Sequence, residues 1–477
     1  MTGSKRSECC GVLRGMKTPA VICYCRLAIA AYPEITSTAS ASVVLWTSLH
    51  ARLAAVSLYS LNHPTQPQWD AREFLSIHET DECKYAVSQM RAPDHRLSSL
   101  DLFRGIAIAC VFLHHCLTAA FDPWELRWTG WLRDFSPSPA NLPAVLLYPL
   151  SLGGLGVPLF FVISGFCIHL SARRRAAEGP RGFFTRRFFR IYPPYLLALL
   201  FFSLVWPWTR TSLHSDWGRA QIAGHALLVQ NFDSGWFFGI NPSFWSIAVE
   251  AQLYVLYPLL LLLVHRWTWR RMIVYLAVWE GIYHLNLGIY SALTGQDAPI
   301  WFEFNPFAFW FSWSLGALLA EAYLQEKPLP FADTSPWLWA GAVLVTNIVR
   351  PLSGLTFLFG AVLAANLIAR RITATSNDAD HPRVALSSPR PEARITRHLR
   401  AAGLCSYSLY LIHQPILTAF ARELSLRLAT IPARDWITFT ACAALWFIIL
   451  PLSALLFRWI EQPSIAFSEK LLRRPPP

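Results

Sequence analysis

Residues 99–121 read SLDLFRGIAIACVFLHHCLTAAF. The run is long and apolar enough for the ~20 residues a helix needs to cross hydrocarbon. Arg104 and His115 interrupt it. Eleven residues are three helical turns and about 20°, so the two side chains lie on one stripe, roughly 16 Å apart along the axis. Ionisable groups inside a span are costly and face a bundle interior or a wet cavity, which makes them candidates for function. The alternative is a snorkelling Arg104 near one end and a hydrogen-bonded core His115. His114 is the rival imidazole, but it lies about 100° round the helix and off the Arg104 stripe.

The rest of the chain extends this reading. Of 477 residues, 54% are hydrophobic and 15% charged, which is low in charge for a soluble protein. The repeated apolar runs predict an all-α, polytopic integral membrane bundle. A net charge of +12 would suit nucleic acid, but Lys and Arg cluster in short loops between apolar runs. Orientation by the positive-inside rule accounts for them better, and no nucleic-acid partner is expected. Ten cysteines form no CxxC pair, and Cys110, Cys116, Cys167, Cys405 and Cys442 fall inside spans. They read as apolar fillers, with no disulfide framework or metal site expected.

Ten spans are expected, near 100–121, 144–171, 190–208, 243–264, 272–291, 305–324, 335–349, 352–369, 403–421 and 435–458. The two flanking Arg350-Pro351 are short and predict a kinked or tilted hairpin. Residues 220–232 (AQIAGHALLVQNF, from Ala220) are too short to span and read as re-entrant or interfacial. Ten spans put both termini on one side. Loops 172–189, 265–271, 325–334 and 370–402 then share a side that carries the arginine-rich runs, while the loops opposite hold few Arg and almost no Lys, which predicts cytoplasmic termini. The 370–402 loop, rich in Arg, Pro, Ser and Asp, reads as a flexible cytoplasmic linker, and 471–477 as a basic tail. Residues 1–95 hold half of the cysteines with weak periodicity and read as a poorly ordered extension. Met90 is a candidate true start, because MRAPDHRLSSLDLFRG leads directly into the first span.

Further polar residues fall in or beside the spans. Arg187 and Arg190, in RRFFRIYPPY, share a helix face at i, i+3, and guanidinium forks suit phosphate oxygens; plain positive-inside anchoring is the alternative. Glu250 sits in NPSFWSIAVEAQLYVLYPLL, at a depth where a carboxylate must pair or titrate. His413 lies in CSYSLYLIHQPIL, with Pro415 freeing backbone carbonyls nearby; it suits proton transfer or a carbonyl-bonded core role. GGLGVPLFFVISGFCIHL carries Ser164 and His169 among glycines that permit close helix packing. Glu461 reads as an interfacial anchor or a partner for a loop arginine. Together these offer cations on one side with carboxylate and imidazole at depth. That fits a path from a phosphate-bearing donor to chemistry within the bilayer, or a proton relay in a transporter.

The ordered motifs LDLFRGIAIACVFLHH, GVPLFFVISGF, TRRFFRIYPPY, NPSFWSIAVEAQLYVLYPLL, CSYSLYLIHQPIL and RWIEQP resemble membrane acyltransferase family 3, the polysaccharide and antibiotic O-acyltransferases, over roughly 96–470. The family's arginine–ten residues–histidine motif falls on Arg104 and His115. Its Arg-x-x-Arg motif falls on Arg187 and Arg190, and its tryptophan-serine-glutamate motif on Trp245, Ser246 and Glu250. Leu102-Phe103, Pro158 and Ala251 depart from the family pattern, the last two where acidic residues are common. The resemblance implies a membrane O-acyltransferase in a bacterial inner membrane. It implies acyl-CoA as donor substrate (acetyl-CoA first), with no permanently bound cofactor, and a carbohydrate or lipid-linked glycan as hydroxyl acceptor. On that reading His115 is the general base or a transient acyl carrier, oriented or charge-tuned by Glu250. Arg104 sits near the donor, and Arg187 and Arg190 clamp its phosphates. The chain stops soon after its tenth span, which reads as a stand-alone form without a C-terminal hydrolase-like domain. A proton-coupled carrier or flippase for a glycolipid or small solute, relaying through Glu250 and His413, is the alternative. A non-catalytic assembly partner is the third.

Overall fold

The computed structural model describes residues 98–121, 125–139, 141–211, 213–380 and 393–473. The expected N-terminal extension, the candidate start at Met90 and the last residues of the basic tail lie outside them.

The first span is helix α1, Ser98–Ala120. A small antiparallel hairpin follows, β1 Trp128–Thr129 and β2 Leu132–Arg133. Short helical turns then lead into α2, Gly156–Arg174. Next come α3, Gly179–Leu200, with two internal prolines, and α4, Asp216–Ala226, whose first turn is capped by the Ser215 hydroxyl. Helix α5, Phe244–Thr294, is two helices meeting at Thr268, where φ is 74°. The rest are α6 Trp310–Leu324, α7 Pro336–Ile348, α8 Leu355–Asp380, α9 Arg394–Leu404, α10 Ser406–Arg427, α11 Arg434–Ala444, α12 Trp446–Leu456 and α13 Gln462–Leu472.

All ten expected spans fall on helices. Spans 243–264 and 272–291 are the two halves of α5, separated by the break at Thr268. Among the described residues, six helical stretches are long and apolar enough by themselves to cross a membrane. Helix α7 is apolar but only 13 residues long, and a 3-10 turn at Arg350–Leu352 joins it to α8, as the Arg350-Pro351 hairpin reading requires. Segment 220–232 forms the end of the 11-residue α4 and a single 3-10 turn, too short to cross. One expectation is corrected. Residues 370–402 are not a linker throughout, because α8 continues to Asp380 and α9 occupies Arg394–Leu404; 381–392 lie outside the described residues. Arg and Ala favour helix, and α9 buries Ala402 and Gly403 against the bundle.

Helix contacts form where glycine removes the Cβ. A Cβ at Gly165 of α2 would stand 2.0 Å from the Trp313 carbonyl oxygen, and one at Gly316 of α6 would stand 1.9 Å from that of Val162. Gly105 of α1 and Gly403 of α9 meet the other helix in the same way, since a Cβ on either would stand 1.8 Å from a carbonyl oxygen, that of Leu399 or Asp101 respectively. Such backbone-to-backbone approach replaces the hydrophobic drive that lipid cannot supply.

Two polar contacts reinforce the bundle. Pro415 has no N–H for the carbonyl four residues back at Leu411, and the Asn241 side-chain amide donates to that oxygen instead at 2.8 Å. Buried Glu280 in the second half of α5 accepts from the Phe311 and Ser312 N–H groups at 2.9 and 3.3 Å and from the Ser312 hydroxyl at 2.5 Å. These are orphan donors at the start of α6, which the buried carboxyl oxygens satisfy.

Gly165→Val and Gly316→Val are expected to lower stability by about 1–3 kcal/mol or more through overpacking. Gly281→Ala, where a Cβ meets nothing within 4 Å, should be neutral or slightly stabilising. Thermal unfolding of the purified chain in detergent measures all three, and equal loss in all three would reject the close-contact account.

Candidate active site

Arg104 on α1, Arg187 and Arg190 on α3, and Ser246 and Glu250 on α5 line one cavity of about 120 Å³. Ser164 and Cys167 on α2 and Tyr254, Tyr407 and Tyr410 complete its polar wall. Helical spacing assembles most of this. Arg187 and Arg190 share a face, as do Ser246 and Glu250, and Ser164 and Cys167.

Each charge in the cavity has counter-groups. Arg104 donates to Asp101, one turn earlier, at 2.9 Å and to the Cys167 sulfur at 3.1 Å. Arg190 pairs at 3.6 Å with Glu461, which is fully buried and also accepts from Ser408 at 3.0 Å. Glu461 thus meets an arginine within a span rather than a loop arginine. Glu250 accepts from the Ser164 hydroxyl and the Tyr254 phenol at 2.6 Å each, and Trp313 in turn donates to Ser164 at 3.2 Å. Arg187 donates to Ser171 at 3.0 Å, while its buried Nε has no hydrogen-bond partner among the described residues. The cavity wall thus carries three guanidinium groups and one carboxylate held by two hydroxyl donors.

The imidazoles stand apart from this cavity. His115 Nδ1 lies 2.8 Å from His413 Nε2, with the ring planes 28° apart and the centroids separated by 5.0 Å. Glu250, expected to orient or charge-tune His115, makes its hydrogen bonds to Ser164 and Tyr254, and the side chain hydrogen-bonded to His115 is His413. Tyr410 bridges the two regions. It lines the cavity, bonds Ser246 at 2.7 Å and stands 5.5 Å from the His413 ring.

Other candidates go elsewhere. His114 packs toward the turn before α2, where a Cβ at Gly153 would meet its own. His169 is buried between Glu321 at 2.7 Å and Tyr257 at 3.0 Å. Trp245 sits in an aromatic cluster with Phe237, Phe304 and Phe309. Among the described residues no group of three or more metal-ligating side chains gathers.

The sequence reading passed over Tyr254, although its i, i+4 spacing from Glu250 placed it on the same face, and Asp101 at i−3 from Arg104. It also passed over Glu280 and Glu321, two carboxylates within or at the end of apolar spans, which the cost of charge in hydrocarbon should have singled out.

The profile of a family described as an acyltransferase domain matches residues 97–458. Acyltransferase MdmB of Streptomyces mycarofaciens is 29% identical over 184 residues, which is 37% of this chain and 42% of that protein. BcsY of Komagataeibacter xylinus, named as a candidate membrane-bound transacylase, is 25% identical over 351 residues, 68% of this chain and 73% of that protein. The peptidoglycan O-acetyltransferase OatA of Listeria monocytogenes is 25% identical over 387 residues, 71% of this chain and 57% of that protein. The chain thus spans well under two thirds of the first and last of these. No solved structure matches.

Because Ser164 and Tyr254 donate to the same Glu250 oxygen, each of Ser164→Ala and Tyr254→Phe is expected to cost about 1.5–3 kcal/mol, the range for a hydrogen bond to a charged group. The double variant should depart from additivity. A thermal-unfolding double-mutant cycle in detergent measures this, and strict additivity would show that the two donors act independently.

Proposed function

The chain belongs to this acyltransferase family, and from that membership we propose that it moves an acyl group from cytoplasmic acyl-CoA to a hydroxyl of a carbohydrate or lipid-linked glycan. The observation that carries the proposal is the gathering of Arg104, Arg187 and Arg190 in one cavity, with His115 about 16 Å farther along α1.

Coenzyme A carries phosphates at one end and its thioester at the other, joined by a thin arm. Guanidinium forks recognise phosphate oxygens in pairs, so the three arginines suit the phosphate end. A cavity of about 120 Å³ corresponds to about four waters at ~30 Å³ each. That room suits phosphate oxygens at the arginines but neither the arm nor the nucleotide, so the nucleotide remains outside the bundle and the arm needs the helices to part on binding. An arm extended along α1 brings the thioester toward His115. There His115 acts as general base. As the acceptor oxygen attacks the acyl carbonyl, His115 takes the hydroxyl proton. The new C–O bond forms, the C–S bond breaks, and the proton passes to the departing thiolate. Glu250 acts on the arginines through their charge, keeping the cations from repelling one another when no phosphate is bound.

Acetyl is the acyl group favoured, because the OatA relatives are named as O-acetyltransferases. The orientation follows from the arginine-rich loops, which put the arginine cavity on the cytoplasmic side and His115 toward the outer face. A bacterial cytoplasmic membrane fits this arrangement.

Membranes containing the chain, given acetyl-CoA, are expected to release CoA thiol and to accumulate alkali-labile acetyl groups in their glycans. His115→Ala should lower turnover by about 10²–10⁴-fold. Arg187→Ala/Arg190→Ala should chiefly raise the KM for acetyl-CoA. Solute flux without thiol release would reject acyl transfer in favour of a carrier.

A further inference from the structure

We infer that His413 is a positioning residue that sets the tautomer of His115, leaving Nε2 of His115 as the basic nitrogen. The inference rests on the acyltransfer reading and adds to it the atom that carries the proton and the group that decides which atom that is.

The proton bookkeeping starts at His413. Its Nδ1 lies 3.2 Å from the Leu409 carbonyl oxygen and 3.0 Å from that of Tyr410. Carbonyl oxygens only accept, so Nδ1 of His413 bears the proton. A neutral imidazole has one N–H, and the other nitrogen is an acceptor. Nε2 of His413 is therefore a lone pair, and it faces Nδ1 of His115 at 2.8 Å. Nδ1 of His115 must then be the donor, and the lone pair of neutral His115 is left on Nε2. Among the described residues nothing hydrogen-bonds that nitrogen. Two backbone carbonyls of α10 thus dictate, through one ring, where a second ring on α1 is basic.

The surroundings hold this arrangement. His413 is fully buried, with the rings of Phe112 and Tyr410 beside it at 6.3 and 5.5 Å. Water cannot readily compete for its nitrogens in such a place. The carbonyls it uses belong to the preceding turn of its own helix, so the donor geometry is built into α10. Asn241 ties that turn of α10 to the segment before α5 through the Leu411 carbonyl. The arrangement has the logic of a base held by a second residue in its correct tautomer. It differs in that the second residue is a neutral imidazole. His413 therefore orients His115 and accepts its N–H before and after proton uptake, without placing a negative charge beside it.

The test compares full-length chains in membranes, with acetyl-CoA as the probe and CoA thiol release as the readout, alongside thermal stability of each purified variant. His413→Leu is expected to lower kcat by about 10²-fold or more while leaving the KM for acetyl-CoA within about twofold. His413→Gln, whose amide oxygen reaches the place of Nε2, should recover at least tenfold of that loss. His413→Asn, whose shorter amide reaches only the place of Nδ1, should not recover it. The Gln-to-Asn contrast decides the matter even where His413→Leu fails to fold. Equal activity of His413→Gln and His413→Asn at matched stability would overturn the inference, as would a His413→Leu chain with kcat near that of the parent. His115→Ala separates the two levels. If it keeps full turnover, the base assignment itself falls and the inference with it. If it is inactive while His413→Leu is not, only the role of His413 falls.

Discussion

A Cβ on Gly165 would come within 2.0 Å of a backbone oxygen of α6, and one on Gly316 within 1.9 Å of a backbone oxygen of α2. Contacts this close leave little freedom in how α2 and α6 lie against each other. Gly105 and Gly403 do the same for α1 and α9. In a lipid setting, where apolar side chains gain little by leaving the acyl chains, shape and close approach decide how helices pack. The position of α2 then sets where Ser164 and Cys167 stand, and that of α1 sets Arg104. The cavity follows from backbones that are able to touch.

Charge is the second constraint. Three guanidinium groups in one apolar bundle would repel one another and lose hydration. Asp101 and Glu461 take two of them directly, while Glu250, held by hydroxyl groups, lines the same cavity. Breaking a buried pair by removing one partner is costly because the other charge is left uncompensated. The same arrangement keeps guanidinium N–H groups at the cavity wall, among them the unpartnered Nε of Arg187. The proposed functional role of these side chains therefore falls on groups that also hold the bundle together, which makes substitutions here informative only when stability is measured beside activity.

The site divides into two levels along α1. Cations gather at one, and the His115–His413 pair stands at the other, with Tyr410 between them. A helix is the natural ruler for this separation, since 1.5 Å per residue converts eleven residues into roughly 16 Å. The proposed donor, long, thin and charged at one end, would use the full length of that layout.

Much of this was legible in the chain alone. Apolar run lengths placed the expected spans on helices, because hydrocarbon thickness imposes about 20 residues on any crossing helix. Helical periodicity placed Arg104 with His115 on one stripe and Arg187 with Arg190 on one face, since i, i+3 and i+11 relations are local geometry. Composition misled at 370–402, where a polar sequence hides the end of α8 and most of α9; a run rich in Arg and Ala becomes helical once a neighbouring helix offers a surface for its Ala402–Gly403 face. Partners across helices were decided by the tertiary structure. His115 and His413 are 298 residues apart in sequence, Arg190 and Glu461 are on α3 and beyond α12, and Glu250 turned to Ser164 in place of His115. No periodicity relates such positions. Only the packing of whole helices, set by where glycines let backbones meet, brings one ring nitrogen within 2.8 Å of another.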